Sequence, residues 1–363
     1  MPVNIRILSL SRYVRRGASS RIRFFQFADY LNNSGFTIVE SPLLDDDYLS
    51  AIYQNRRPSK FRILRDMALR FMKMKRTPAD VLWIEKEVFP YLPYLFDSYA
   101  IGAIPFVVDF DDAVFHNYEQ HSNPMIRKFL GNKYNKIIRD ASIVTVGNDY
   151  IAEYAKKAGA RDIRVIPSVV DTGKYQAGKP PKDDHALVIG WIGTPATQNY
   201  VLRIRQVLDR LLSSGNIRLH LIGASDIGWE HSGLKIIPWA ESTEIQLIRE
   251  FDVGIMPLPD EPFERGKCGY KLIQCMACGK PVIASPVGAN KVIVRSGING
   301  FLADTDEEWE SAFAALLSDV NLRETMGMEG RKAVESSYSL MAIAPIMANA
   351  MRDSLVKNQK FQP

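Results

Sequence analysis

The sequence predicts an α/β protein built from two doubly wound domains, each a parallel sheet with helices on both faces. A length of 363 residues favours two domains over one. In both halves short, continuous apolar runs alternate with helical patterns, and such runs are typical of strands buried on both faces. The polar segment 172–185, TGKYQAGKPPKDDH, separates the two series and is predicted to be a linker.

The first series defines a predicted N-terminal domain, residues 1–171. Its apolar runs are predicted as the strands 5–10, 36–40, 81–86, 105–110, 142–147 and 164–171. Helical patterns between them predict the helices 21–34, 56–76, 90–101, 123–140 and 148–158.

The second series defines a predicted C-terminal domain, residues 186–338. Its predicted strands are 186–193, 218–223, 234–239, 253–258, 281–285 and 299–303, and its predicted helices are 198–214, 242–250, 268–278, 306–318 and 321–336. A last helix, 339–358, is expected to pack back on the first domain. Ligands of doubly wound sheets bind at the carboxyl ends of the strands. A cleft between the two domains is therefore the expected site.

Composition places the chain among soluble proteins. Apolar residues make up 46% and charged residues 24%, and no run of 18 uncharged apolar residues is present. In MPVNIRILSLSRYVRR the charges follow the apolar part, which is the wrong order for a secretory signal. The three cysteines do not suggest a disulfide framework, so the expected compartment is the cytoplasm.

The segment 56–76 is strongly basic. It holds nine Lys and Arg against one acid, and the apolar stripe Leu64, Met67, Phe71 and Met74 predicts an amphipathic helix. Two interpretations are open: contact with an anionic membrane surface, or packing of the apolar stripe on its own domain. Nucleic acid is not an expected partner, because no basic and aromatic interleaving accompanies the charge.

The stretch FERGKCGYKLIQCMACG follows the predicted strand 253–258. Lys267, Lys271 and Gln274 fall on one stripe of the predicted helix, and Gly266 lets a ligand approach the backbone. A helix N-terminus with adjacent cations favours a diphosphate. The alternative is a surface loop of solvated charges.

The segment QCMACGKPVIASPVGANKVIVRSGINGFLADTDEEW resembles the nucleotide-sugar site of retaining GT-B glycosyltransferases, glycosyltransferase family 4. The resemblance implies the GT-B fold, which is two Rossmann-like domains with an interdomain cleft. It also implies transfer of a sugar from a UDP- or GDP-linked donor to a hydroxyl acceptor with retention of configuration. Neither a cofactor nor a catalytic metal is then expected.

The motif departs from that family at several positions. Gln274 stands where the family has a ribose-binding glutamate, and a neutral amide still bonds a diol. Gly266 replaces the glutamate that contacts the donor sugar. The resemblance places Pro238 and Trp239 beside the nucleobase; the alternative for Trp239 is a place in the wall of the domain core.

Phosphate-binding positions also differ. Thr194, Thr197 and Gln198 stand where the resembled family often has two diphosphate-binding cations, and the two hydroxyls can still donate to phosphate without bringing charge. Arg265, Lys267 and Lys271 are then expected to supply the charge, with Lys271 neutralising the leaving diphosphate.

Two loops of the first domain complete the predicted site. Gly17 is expected beside the diphosphate, and Ser19, Ser20 and Arg21 on the acceptor side. Ser19 or Ser20 is also predicted to cap the helix 21–34.

The second loop, DFDDAVFH, places Asp109 on the acceptor side. Asp111 and Asp112 are predicted to orient the acceptor hydroxyl or accept its proton. The alternative is that these carboxylates hold backbone or an arginine such as Arg21. The string also resembles the metal-binding DxD of GT-A enzymes, which the two-domain architecture disfavours.

The resulting prediction is a glycosyltransferase of bacterial surface polysaccharide synthesis with a glycan or lipid-linked acceptor. Two rivals are open: a GT-B epimerase of nucleotide sugars, and a binding protein that has lost catalysis. Cys268, Cys275 and Cys278 are expected to be buried thiols, because their spacing does not suit a zinc site.

Overall fold

The computed structural model describes residues 4–54, 56–178 and 186–359, with side chains up to residue 356. The chain forms two compact units. The first comprises the described residues up to Ser168 and those from Ile343 onward, and the second is Val169–Ala342. Of the predicted linker, 172–178 belong to the second unit, and 179–185 lie outside the described residues.

The first unit contains a six-stranded sheet in which every pairing is parallel. Its order is β2-β1-β3-β4-β5-β6, so the chain direction across the sheet reverses between β1 and β3. The strands are β1 (Ile5–Leu10), β2 (Phe36–Glu40), β3 (Val81–Glu85), β4 (Phe106–Phe110), β5 (Ile143–Val146) and β6 (Ile163–Val165). β3, β4 and β5 are buried at every position, which explains their mainly apolar sequence; each contains one polar residue, Glu85, Asp109 or Thr145.

Helices cover this sheet. They are α1 (Ala18–Arg23), α2 (Ala28–Asn33), α3 (Asp46–Tyr53), α4 (Lys60–Arg76), α5 (Tyr94–Ile101), α6 (His116–Glu119), α7 (Pro124–Leu130), α8 (Lys133–Asp140) and α9 (Asp149–Lys157). The predicted helix 21–34 is wrong as a single element, because a 3-10 turn at Phe25–Phe27 divides it. Phe24 stacks on the buried Trp83 ring at 4.2 Å, and this contact lies at the break.

The basic segment forms α4, and its buried face packs on its own unit. Met67 and Met74 are buried, and Phe71 stacks on Tyr99 of α5 at 5.9 Å. Leu64, predicted to belong to the buried stripe, is instead 61% exposed. Arg70 takes a buried position and donates to the carbonyls of Ser11, Ser41 and Val88. Packing on the domain is therefore observed, and it leaves the opposite face of α4 in solvent.

The second unit holds another six-stranded parallel sheet, in the order β12-β11-β10-β7-β8-β9. The strands are β7 (Leu187–Ile192), β8 (Ile217–Ile222), β9 (Leu234–Ile237), β10 (Val253–Met256), β11 (Val282–Ala284) and β12 (Gly300–Leu302). Read from β9, this is the doubly wound order 3-2-1-4-5-6, in which the reversal lies between β7 and β10. At Gly190 of β7 a side chain would lie 2.1 Å from the Phe251 ring, so only glycine fits there.

Helices flank this sheet as well. They are α10 (Arg205–Leu212), α11 (Glu244–Arg249), α12 (Pro262–Arg265), α13 (Tyr270–Ala277), α14 (Asn290–Ile293), α15 (Asp306–Ser318), α16 (Val320–Ser337) and α17 (Leu340–Gln359). The predicted helix 198–214 divides into a 3-10 helix, Pro195–Ile204, followed by α10. Within the described residues, none of the helices is both long and apolar enough to cross a membrane.

Most of α17 belongs to the first unit. Arg352 donates to the carbonyl of Ser34 at 2.8 Å, and its guanidinium lies 4.9 Å from the centre of the Phe36 ring. Asp353 forms an ion pair with Arg164 at 3.1 Å. These contacts join the C-terminal helix to both edges of the first sheet.

Candidate active site

The turn before α13 requires glycine. Gly269, the N-cap residue, has φ +64°, and a side chain there would meet the Ile293 Cδ1 atom at 2.3 Å. The left-handed backbone ends the loop after β10 and starts α13 beside the carboxyl edge of the sheet. The positive end of the helix dipole therefore lies next to the β7–β10 reversal, where doubly wound sheets bind ligands.

Lys271 lies at this edge. Its Nζ atom is 5.2 Å from the centre of the Trp191 indole. The lysine also passes close to Gly193, directly after β7: a Cβ atom added to this glycine would lie 3.0 Å from Lys271 Cε. A side chain at Gly223, which follows β8, would clash with the Gly193 carbonyl and would lie close to Trp239. The structure thus brings Lys271, Trp239 and two glycine turns to one place.

The other two predicted cations have different partners. Arg265 is exposed and pairs with Asp260 at 2.7 Å. Lys267 lies over the ring of Phe263, with Nζ 4.8 Å from its centre, and 5.7 Å from that of Tyr200. The recorded contacts of Lys271 lie at the end of β7.

Thr194 and Thr197 serve the backbone. Thr197 Oγ1 accepts from the Thr194 amide at 3.4 Å and donates to its carbonyl at 3.2 Å, closing the start of the 3-10 helix. These contacts order the turn that follows β7, and Lys271 and the N-terminus of α13 bring positive charge to the same edge.

Gln274 belongs to a buried hydrogen-bonded chain. Its Nε2 atom donates to the Tyr175 hydroxyl at 2.9 Å, and that hydroxyl donates to Glu244. The Trp239 indole N–H donates to the other Glu244 oxygen at 2.5 Å. Burial, with Tyr270 and Glu244, raises the pKa of Tyr175 well above 10, so the phenol keeps its proton. Pro238, the remaining nucleobase candidate, is exposed beside Trp239.

In the first unit, a cluster of polar side chains lies at the carboxyl ends of β3 and β4. Asp111 pairs with Lys86 Nζ at 2.9 Å and accepts from the Ser19 hydroxyl at 2.5 Å. Lys86 has φ +65°, a strained conformation for a lysine, and it also donates to Ser19 at 3.1 Å. Burial opposes ionisation of Asp111, but Lys86, Arg23 and Ser19 together lower its pKa below the ordinary value. Asp111 is therefore ionised at neutral pH and a weak base.

Two residues predicted on the acceptor side are instead structural. Asp109 is fully buried in a bidentate pair with Arg23, at 2.6 and 2.9 Å, and also accepts from Thr145 at 2.5 Å. Ser20 is fully buried, donating to Glu85 at 2.6 Å and accepting from the Tyr13 amide at 2.9 Å. Neither side chain reaches solvent, so both predictions are corrected.

The remaining residues of these loops have varied surroundings. Gly17, not Ser19 or Ser20, is the N-cap of α1, and it packs against the Tyr13 side chain. Arg21 is 8% exposed, while Asp112 is half-buried directly after Asp111.

All three cysteines are buried thiols. Burial raises the pKa of Cys278 to about 12 and that of Cys275 further. Both therefore remain protonated at neutral pH.

Sequence reasoning missed four residues of these clusters: Lys86, Arg23, Tyr175 and Glu244. Only Lys86 carried a signal, because the charged run Glu85–Glu87 follows a buried strand directly. The other three are placed by contacts between distant parts of the chain.

Two Rossmann-like units with these sheet orders define the GT-B fold. Solved structures agree over almost the whole chain. Sucrose-phosphate synthase from Thermosynechococcus elongatus matches with a TM-score of 0.72 at 14% identity, covering 97% of this chain and 99% of that one. Anabaena HepE, solved in complex with UDP-glucose, matches with a TM-score of 0.68 at 16% identity, covering 96% and 99%.

Residues 185–319 match the family model described as glycosyl transferases group 1. The matched region lies within the second unit and includes α13 and Lys271.

Curated relatives include D-inositol 3-phosphate glycosyltransferases. That of Paenarthrobacter aurescens is 31% identical over 210 residues, 53% of this chain and 50% of the relative. That of Rhodococcus opacus is 27% identical over 179 residues, 44% of this chain and 39% of the relative. The matched part of the chain thus spans half or less of these relatives' length.

Proposed function

We propose that the protein is a retaining glycosyltransferase that moves a sugar from a nucleoside diphosphate donor to a hydroxyl acceptor. The observation that carries the proposal is Lys271 at the N-terminus of α13. It lies beside the carboxyl end of β7, inside the region that matches the family model. The binding of UDP and UDP-glucose by HepE, a neighbour in fold, supports a UDP-linked donor.

The donor half of the proposed reaction is electrostatic. The helix terminus and the Lys271 ammonium stabilise the negative charge that grows on the leaving diphosphate. Gln274 contributes to ribose binding, and Trp239 to the nucleobase. A lysine and a helix terminus supply the neutralisation that a divalent metal supplies in other enzymes, so no catalytic metal is proposed.

On the acceptor side, Asp111 orients the acceptor hydroxyl, and Asp112 lies beside the path by which the acceptor enters. The lowered pKa of Asp111 favours orientation over proton abstraction. The acceptor's proton then passes to the departing diphosphate on the same face, in line with retention.

The Lys271→Met variant tests the donor half. We expect affinity for UDP or GDP, measured by calorimetry, to fall ten- to hundredfold, since one charge-assisted contact is lost. Sugar transfer or slow donor hydrolysis should fall at least as far. Lys235→Met, at an exposed lysine of β9, is the matched control and should leave both unchanged.

The same assay separates the rival functions. Product formed from the donor without an acceptor, and with the nucleotide still attached, would identify an epimerase instead. Donor binding without sugar transfer to any acceptor tested, and without donor hydrolysis, would identify an inactive binding protein. Unchanged affinity in Lys271→Met would contradict the proposed site.

We further propose that the first unit docks on the anionic cytoplasmic face of a membrane to reach a lipid-linked acceptor of surface polysaccharide synthesis. The solvent face of α4 carries the exposed apolar residues Phe61, Leu64, Leu69 and Met72 among its basic residues. α5 adds Leu95, Phe96 and Tyr99, which are 51–74% exposed. Apolar side chains among basic residues suit the interface of an anionic bilayer.

Vesicle co-sedimentation tests this docking. We expect binding to vesicles with anionic lipid, less binding at high salt, and none to neutral vesicles. Phe61→Ser with Leu64→Ser should weaken binding several-fold, whereas Val292→Ser, at an exposed valine of the second unit, should not. Equal binding by all variants, or no binding at low salt, would refute this role of α4.

A further inference from the structure

A pocket of about 720 Å³ lies in the second unit, at the sheet edge opposite to Lys271. Its walls include the amino ends of several strands: Leu187 begins β7, and Asn216, Asp252 and Pro281 directly precede β8, β10 and β11. The volume lies within the range of pockets that hold small organic ligands. The proposed donor site lies at the carboxyl ends, so this pocket is separate from it.

Lys280 is the unusual residue of the pocket. It is only 5% exposed, and its ammonium forms no hydrogen bond or ion pair with any residue that the structure describes. Burial lowers its pKa, while the charge of Asp252 acts in the opposite direction. Asp252 itself accepts a hydrogen bond from the Val188 amide at 2.7 Å. A buried cation without a direct partner is unfavourable unless a ligand supplies one.

The remaining lining is charged and apolar. Arg323, Arg331, Lys332 and Glu324 contribute to it, and Arg331 pairs with Glu335 at 2.6 Å and Lys332 with Glu329 at 2.7 Å. Arg323 donates through Nη1 to the carbonyls of Leu316 and Leu317, which fixes its guanidinium at the rim. Apolar wall is supplied by Leu187, Pro281, Leu317, Val320 and Met328.

We propose that this pocket binds an organic anion with an apolar body, whose phosphate or carboxylate pairs with Lys280 and Arg323. The apolar wall contacts the body of the ligand, and Asp252 accepts from a hydroxyl or N–H on it. An inorganic anion leaves the apolar wall uncovered and binds weakly. A neutral aromatic leaves Lys280 unpaired and also binds weakly.

Calorimetric titration of the full chain with four probes tests the site: 1-naphthyl phosphate, 1-naphthoate, inorganic phosphate and 1-naphthol. We expect at least one of the two naphthyl anions to bind at least tenfold more tightly than phosphate or 1-naphthol. The better anion identifies the head group. Lys280→Met should lower the affinity for that anion about tenfold, and Met328→Trp should block the pocket.

Three controls separate this site from the donor site. Lys235→Met and Lys271→Met should leave naphthyl anion affinity unchanged, and Lys280→Met should leave UDP affinity unchanged. Thermal melting checks that each variant is folded, and Met328→Trp replaces Lys280→Met if the latter is not. The proposal is overturned if neither naphthyl anion binds, or if the folded pocket variants bind it as the wild type does. Loss of anion binding in Lys271→Met would also overturn it, by assigning the anion to the donor site.

Discussion

Replacing Arg23 by Met is expected to lower the free energy of unfolding of the first unit by about 3–5 kcal/mol. Arg23 and Asp109 are both fully buried and joined by two hydrogen bonds, and Arg23 Nη1 also donates to the Ile166 carbonyl at 2.7 Å. Without the guanidinium, the Asp109 carboxylate keeps only Thr145 as a recorded side-chain partner. An uncompensated buried charge is far more costly than the loss of an exposed pair.

Urea denaturation measures this effect, and the chain offers a matched control. Arg6 forms a pair of similar geometry with Asp80 at 2.8 Å, but its side chain is 51% exposed. Arg6→Met should cost far less than Arg23→Met, because solvent screens an exposed ion pair. Adding Asp109→Leu to Arg23→Met should recover part of the loss, because the stranded charge is then removed. Equal losses of unfolding free energy in Arg23→Met and Arg6→Met would show that the buried Arg23–Asp109 pair does not stabilise the first unit as proposed.

Replacing Gln274 by Glu is expected to destabilise the second unit by about 2–3 kcal/mol and to weaken nucleotide binding. The Tyr175 hydroxyl has one proton, which it donates to Glu244, so residue 274 must donate to the phenol oxygen. An ionised glutamate cannot donate, and it would stand against the Glu244 carboxylate in a buried place. The structure thus explains why glutamine, and not the glutamate of the resembled motif, occupies this position.

The double variant Gln274→Glu with Glu244→Gln provides a sharp test. In it, the Tyr175 hydroxyl donates to the introduced carboxylate, while the introduced amide donates to Tyr175 and accepts from the Trp239 indole. Stability should recover beyond the sum of the single effects. Additive losses without rescue would contradict the assigned hydrogen-bond direction.

The single variant Gln274→Glu should also make stability depend on pH. Burial beside the Glu244 carboxylate raises the folded-state pKa of the introduced carboxyl group above its unfolded value of about 4.3. Between those two pKa values the native state binds more protons than the unfolded state, so stability falls as pH rises through the folded pKa. Urea denaturation between pH 5 and 8 measures this loss relative to the wild type, and parallel pH profiles for the two proteins would contradict it.

The sequence predicted most of the strands because the central strands of both sheets are buried. β3 and β4 are mainly apolar runs between polar segments, and their ends are visible within one or two residues. The predicted strand 164–171 instead ends at Val165 in the edge strand β6. The position of the loop before α13 followed from the same logic, since Gly269 and Lys271 lie in the segment that follows such a strand. Helices were harder to predict, because the predicted helices 21–34 and 198–214 contain the 3-10 segments Phe25–Phe27 and Pro195–Ile204.

Individual site residues were predicted less well, for a physical reason. A carboxylate at the end of a strand has the same sequence appearance whether it faces a ligand or a buried arginine. Asp109 pairs with Arg23, 86 residues away, while Asp111, two positions on, pairs with Lys86. Gln274 similarly depends on Tyr175, 99 residues earlier. Only the folded chain distinguishes such partners.

A crystal structure of the protein with UDP is the most direct test of the central claim that the α13 N-terminus holds the donor diphosphate. The predicted result places the diphosphate within about 3 Å of Lys271 Nζ and of backbone N–H groups at the start of α13, with the ribose toward Gln274. Nucleotide bound at another edge of the second sheet, or a diphosphate held without Lys271 and the helix terminus, would contradict the account.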